Sequence, residues 1–284
     1  MSERTAYFVF DIETVVDGRL VQRVRYPGAP ELSPSEAVAR YRAELMQAKG
    51  SDFVPHTFQL PVSIAIAKVA PDYRLQELVS LDRPAFRPHV ITEQFWKGWR
   101  HYGEPVMVTF NGRGFDLPVL EMAAFRYGIS VPGWFKNTGP NWDQPRNRFA
   151  TCGHIDLQEF LTNFGGVRQS GGLDLCATVI GQPGKMDTKG YMVHDLWEAG
   201  EGERIDDYCF CDALDTYFVF LRTRVLHGAL SLEDERAIVA EARQLVSELA
   251  SDNPALQAYL EHWRGWSSPV DSGWAFLDPA DQET

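Results

Sequence analysis

The sequence predicts an α/β chain in which helices flank a mixed sheet. Three observations carry this reading. Residues Ala6 to Ile12 are apolar, β-branched or aromatic up to Asp11, the pattern of a buried strand. Gln59 to Val69 and Leu75 to Leu81 repeat that pattern on either side of Pro71-Asp72, which makes an antiparallel trio with the first strand. Downstream, helical patterns alternate with one more short strand, so the layers combine sheet and helix.

Taken in order, Asp17-Gly18 is a turn signal. Ser33-Pro34-Ser35-Glu36 then opens an amphipathic helix to about Lys49, with Ser33 as cap and Pro34 in the first helical position. Thr92 to Tyr102 reads as a helix and Pro105 to Phe110 as a strand. Asn111-Gly112-Arg113-Gly114 is a turn, and Leu117 to Tyr127 the next helix. Residues 133–153, rich in Gly, Pro, Asn and Trp, read as a long irregular loop, a kind that is usually functional or mobile. Ile155 to Phe164 and Leu173 to Ile180 look helical, and Ile205 to Leu226 is a longer helix. Ser231-Leu232-Glu233-Asp234 resembles a capping box and starts an acidic helix ending near Ala250. Another helix follows Pro254. Trp266 to Thr284 reads as a tail whose tryptophans, Trp266 and Trp274, dock on the body.

The chain has 284 residues, long enough for one large domain or a domain with an appendage. It carries 27 basic and 39 acidic residues, a net charge of −12, which argues against coating nucleic acid with its whole surface. A local grip on a short stretch stays open. Cys152, Cys176, Cys209 and Cys211 lack zinc or disulfide spacing and read as free, mostly buried thiols. The N-terminus shows no signal-peptide pattern, and the longest apolar stretch, Val62 to Ala70, is too short to span a bilayer. A cytoplasmic protein without a membrane partner is the expectation.

Three segments carry candidate chemistry. In Phe10-Asp11-Ile12-Glu13-Thr14, Asp11 and Glu13 are two apart in a strand and project from one face. Neighbouring carboxylates repel unless one is protonated or a cation lies between them. The bland alternative is a strand end meeting solvent. In Phe110-Asn111-Gly112-Arg113-Gly114-Phe115-Asp116, a glycine turn aims Asp116 at the sheet's carboxyl edge, or Asp116 merely caps a helix. In Tyr208-Cys209-Phe210-Cys211-Asp212, Tyr208 and Asp212 share a helix face. Helix position alone does not choose between Asp212 and Asp215. Four acids on three separated elements suit hard divalent cations, Mg²⁺ or Mn²⁺. Pairs of these about 3.5–4 Å apart serve phosphodiester cleavage.

The three segments resemble the Exo I, Exo II and Exo III motifs of the DnaQ-like 3′–5′ exonucleases, the DEDD superfamily. The resemblance points in particular to the predicted exonucleases related to the proofreading domain of family B DNA polymerases. It covers roughly residues 5–225. His56 ahead of Leu60-Pro61-Val62-Ser63, Asn147-Arg148-Phe149 before His154-Ile155-Asp156-Leu157, and Gly184-Lys185 before Gly190 add to it.

This resemblance implies an RNase H-like mixed five-stranded sheet with helices on both faces. It implies an exonuclease domain over residues 1–230; residues 231–284, outside the resemblance, read as a C-terminal helical extension with a tail packed on it. Asp11 would bridge two divalent cations, with Glu13 and Asp212 completing one site and Asp116 holding the second ion. Tyr208, four before the final Asp, would orient the attacking water and puts the chain in the tyrosine branch. Asn111, Phe115 and Thr14 would contact the terminal nucleotides, Phe115 by stacking. Lys185 is a candidate phosphate contact or a solvated loop lysine. The implied substrate is a single-stranded DNA 3′ end, with RNA as the alternative, and the products are nucleoside 5′-monophosphates. A catalytically silent nucleic-acid-binding module is the rival from another class; it predicts a lost carboxylate, and all four are present. His154 and Asp156 read as hydrogen-bonding groups inside the fold. Arg19, Arg23 and Arg25 are a solvated face or a substrate guide. Trp134, Trp142, Trp263 and Trp266 read as packing residues.

Overall fold

The alternation of apolar side chains in the first strand organises the molecule on two faces. A computed structural model describes residues 4–184 and 192–268. Its sheet has five strands, β1 (Tyr7–Val16), β2 (Gln59–Val69), β3 (Leu75–Ser80), β4 (Val106–Thr109) and β5 (His154–Asp156), in the order β3-β2-β1-β4-β5. β1 pairs antiparallel with β2, and β2 with β3, which gives the trio read from the sequence. β4 and β5 continue the sheet parallel to β1. This is the RNase H-like α/β arrangement.

The helices are α1 (Gly18–Arg25), α2 (Pro34–Lys49), α3 (Pro88–His101), α4 (Asp116–Tyr127), α5 (Leu157–Leu161), α6 (Gly172–Val179), α7 (Val193–Glu198), α8 (Gly202–His227), α9 (Leu232–Leu249) and α10 (Pro254–His262). Phe8, Phe10 and Ile12 of β1 pack with α3 and α4 through Phe95, Trp96, Leu117 and Leu120. Val9 points the other way, into a core built with α8, α9 and α10. Two cores on opposite faces follow from period-two alternation in one buried strand. α8 is buried along most of its length, including Tyr208, Cys209, Asp212 and Asp215.

The structure differs from the sequence reading where elements are short. α1 replaces a simple turn: Asp17 caps it by accepting from Leu20 N–H at 3.1 Å, and only Val21 is buried. Eight residues with one buried position leave no visible apolar stripe. Arg19, Arg23 and Arg25 all lie on this helix, and Arg25 pairs with Glu44 at 3.8 Å. The fifth strand lies where a helix was expected. β5 has three residues, too few to show a period, and Asp156 ends it by capping α5. α7 was also not anticipated. Cys209 and Cys211 are buried, whereas Cys152 is exposed. Trp134 and Trp263 pack in the cores, Trp266 lies under the Arg222 guanidinium at 4.6 Å, and Trp142 stands 71% exposed, contrary to a packing role. Trp274 lies outside the described residues. Among those residues, no helix is long and apolar enough to cross a membrane.

α10 reaches the core through a polar contact. The Tyr259 hydroxyl donates to Asp215 Oδ1 at 2.6 Å, and both are buried. Burial pushes the Asp215 carboxyl up to about 8, against that hydrogen bond. The folded chain therefore holds this proton where the unfolded chain has lost it. The stabilising contribution is complete below the ordinary value of 3.8 and disappears as pH rises through about 8. Asp215→Asn carries no proton to lose. Between about pH 5 and pH 8 it should lose less stability than the wild type, the slopes differing by up to about 1.4 kcal/mol per pH unit. Urea denaturation at each pH measures this, and parallel slopes would contradict it.

Candidate active site

Asp11 and Glu13 follow Val9 on the face of β1 that meets α8. Asp11 stands opposite Ala65 and Glu13 opposite Ser63 of β2, and the register shifts directly after Glu13. Val9 pairs with Val108 of β4, so the two acids lie just past the end of that parallel strand. Asp212, one turn after Tyr208 on α8, meets them there. One carboxylate oxygen from each of Asp11, Glu13 and Asp212 lies within 4.8 Å of the other two. Glu13 and Asp212 are 9% and 8% exposed, so water does little to screen their repulsion.

Tyr208 faces the same group. Its hydroxyl hydrogen-bonds with Asp212, and burial together with the charges of Asp212, Glu13 and Asp11 drives its pKa far up. The phenol is neutral at any physiological pH. The Cys209 thiol donates to the Asp11 backbone oxygen at 3.2 Å, and burial likewise pushes it up. Asp215 instead accepts from the Tyr259 hydroxyl, so of the two helix acids it is Asp212 that lies in the cluster.

Asp116 stands beside the cluster, not within it. It is the first residue of α4, 5% exposed, and accepts from its own N–H and from that of Ile12, the residue between Asp11 and Glu13. Burial, and then the charge of Asp156, raises it to about 7. A cation nearby would act in the opposite direction.

The turn before α4 is tightly built. A Cβ on Gly112 would lie 2.1 Å from Thr109 Oγ1, so only glycine fits there. Asn111 sits in the left-handed region at φ 65°. Asp156 fixes the turn by accepting from Asn111 N–H at 3.0 Å and Arg113 N–H at 2.9 Å. His154 Nε2 lies 2.8 Å from Thr109 Oγ1, and burial keeps the imidazole neutral. Asp156 and His154 thus shape the turn from inside the fold. Asn111 is exposed and Phe115 half-buried, its ring 5.7 Å from that of Phe53. Thr14 is half-buried at the β1 irregularity. Lys185 lies outside the described residues. Sequence reasoning missed Glu159, which receives both Arg113 and Arg148 at 2.9 Å. An acid in a short helix gives no sign of that pairing.

Three hard oxygen donors so close on buried ground fit a divalent cation, which would convert repulsion into coordination. The fold is of the RNase H-like class, and the acidic cluster on it could hold a divalent cation. Residues 51–263 match the family described as predicted 3′–5′ exonucleases related to the exonuclease domain of PolB. The chain belongs to that family and is a hydrolase of the exonuclease type. The match starts after β1, so Asp11 and Glu13 join Asp212 through the fold and not through the matched region. It also runs through α9 and α10, beyond the reach of the resemblance read from the motifs. No curated protein compared with the chain matches it.

Removing one charge should reveal the repulsion. In buffer without divalent cations, Asp212→Asn should melt no lower than the wild type. With Mn²⁺ at about a hundred times its Kd the wild type should gain about 2.7 kcal/mol, and the variant most of that less. Differential scanning fluorimetry with and without Mn²⁺ tests the crossing; a variant equally stabilised by Mn²⁺ would remove Asp212 from the cation site.

Proposed function

We propose that the protein hydrolyses the terminal phosphodiester of single-stranded DNA from the 3′ end, using two divalent cations, Mg²⁺ or Mn²⁺. The observation that carries this reading is the convergence of Asp11, Glu13 and Asp212 beside the Tyr208 hydroxyl in a chain of an exonuclease family. Asp11, Glu13 and Asp212 would hold one cation, and Asp11 with Asp116 the second. Such ions supply positive charge to the phosphate and leaving oxygen and make water more acidic.

The chain's own residues supply position. Tyr208, held neutral, can donate or accept a hydrogen bond but cannot leave as phenolate, so it orients a water instead of deprotonating it. Asn111, Phe115 and Thr14 lie along the turn and strand end, where the terminal sugar and base would rest. Water adds to phosphorus and gives one proton to solvent, the bond from phosphorus to the 3′ oxygen breaks, and that oxygen takes a proton from solvent. A nucleoside 5′-monophosphate and a strand one residue shorter are released. A duplex end must first unstack and fray, so single strands should be the faster substrates.

EDTA should abolish cleavage of a 5′-labelled oligonucleotide, and Asp11→Ala or Asp212→Ala should lower turnover by several orders of magnitude. Full activity in EDTA would sink the proposal. Tyr208→Phe should bind cations like the wild type by calorimetry while losing kcat by roughly 10²–10⁴-fold or less, the upper range being that of a positioned proton-handling group.

DNA preference is tested by kcat/KM on matched DNA and RNA strands at one salt concentration. A tenfold ratio in favour of RNA, about 1.4 kcal/mol, would assign the enzyme to RNA.

A further inference from the structure

Asn147-Arg148-Phe149 belongs to the motif set read from the sequence, yet none of it enters the carboxylate cluster. Phe149 is 73% exposed. Its ring meets that of Phe164, itself 44% exposed, edge to face with centroids 5.0 Å apart. Two large rings displayed together at the surface forgo the gain that burial would bring.

The backbone beneath them is held against its preference. Asn163 and Phe164 have φ of 50° and 56°, in the left-handed region that bulky side chains avoid. Specific bonds impose this conformation. Phe164 N–H donates to Glu159 O at 2.7 Å, and Arg148 donates to Phe164 O at 2.9 Å. Thr162 Oγ1 accepts from Gly165 N–H at 3.1 Å. Strained residues persist where the surroundings over-determine them, commonly at binding sites.

The rings are also tied to the turn before α4. Glu159 takes Arg148 Nε on one oxygen and Arg113 Nε on the other, each at 2.9 Å. Arg113 sits between Asn111 and Phe115, and its N–H is fixed by Asp156. A rigid chain of ion pairs thus runs from the exposed rings to the turn that leads into Asp116. Arg148 and Arg113 are balanced here by Glu159 and Asp156, and the Arg148 side chain keeps 47% of its surface open to solvent.

We propose that Phe149 and Phe164, seated by Arg148, form a stacking platform for unpaired bases of the substrate strand behind its 3′ terminal nucleotide. The proposal rests on the exonuclease reading and extends it to a second subsite. Exposed rings stack on any base face, and the solvent-open guanidinium of Arg148 can meet a backbone phosphate beside them. Bases already stacked in a duplex offer no free face, so the occupant is a single strand.

The test compares wild type, Phe149→Ala and Phe149→Tyr as full chains. Substrates are a single strand of about ten nucleotides and the p-nitrophenyl ester of thymidine 5′-monophosphate, which is too short to reach the rings. Phe149→Ala should raise KM for the long strand roughly 5- to 150-fold, leave its kcat near wild type, and leave both constants for the ester unchanged. Phe149→Tyr should recover wild-type KM. An unchanged KM on the long strand, or an equal loss on both substrates, would overturn the platform. Fluorescence anisotropy of the labelled strand in EDTA separates this from the hydrolytic reading. If no variant cleaves either substrate the hydrolytic reading fails, while weaker strand binding by Phe149→Ala alone still supports the platform and equal binding by all three rejects it.

Discussion

The constraint on which the structure turns is like charge gathered on buried ground. Asp11, Glu13 and Asp212 bring three carboxylates within 4.8 Å of one another where β1 meets α8. At such separations, with solvent largely excluded, each pair repels by several times its value in water. That repulsion has to be overcome by the packing of α8 on the sheet. Val9, Ala65, Ala67, Cys209, Ala213 and Leu214 share one apolar core at this seam. The apolar seam continues on both sides of the acids, so the helix cannot move away from the strand without opening the core.

α8 shows how one helix sorts four acids to different ends. Asp206, fully buried, accepts from Ser63 Oγ at 2.6 Å, Ser80 Oγ at 2.5 Å and Arg83 at 3.1 Å, and so fastens the helix to β2 and β3. Burial outweighs these donors and raises its pKa. Asp207 shares Arg83 at the surface. Asp212 joins the cluster, and Asp215 bonds with Tyr259 of α10. The two outer buried acids, Asp206 and Asp215, each have neutral hydroxyl donors from other elements. They fix the axial position and rotation of the helix, and this sets where Asp212 lies.

How much of this was legible in the sequence depended on element length and on the range of the deciding contact. The alternation Phe8, Phe10, Ile12 against Val9, Asp11, Glu13 could be read directly, because a ten-residue strand displays its period. β5, with three residues, could not be read, and its segment looked helical. Asp212 and Asp215 are three apart on adjoining parts of one helix face, and local spacing treats them alike. The partner that separates them, Tyr259, lies 44 residues away in sequence. The resemblance already set the acid at 116 apart from those at 11, 13 and 212, as holder of a second ion. The fold gathers three and sets Asp116 alongside, bonded to the strand through Ile12 N–H. Trp142 was the reverse case: a large aromatic in a loop read as packing by residue type, and only the structure shows it exposed.

Substrate capture faces the same electrostatic problem as folding. A phosphate approaching Asp11, Glu13 and Asp212 meets negative charge on a chain whose net charge is −12. In the proposed reaction Arg113 and Arg148, held by their shared ion pair with Glu159, would be the cations nearest the incoming strand. They lie off the carboxylate cluster, so they can draw the strand in without neutralising the acids that a cation needs. In the proposed reaction, cation and strand would then favour each other's binding, because each reduces the repulsion that opposes the other. The separation of the two kinds of charge, acids on the β1–α8 seam and guanidiniums from the β4–α4 turn and the loop before β5, would let one small site take both a cation and an anion.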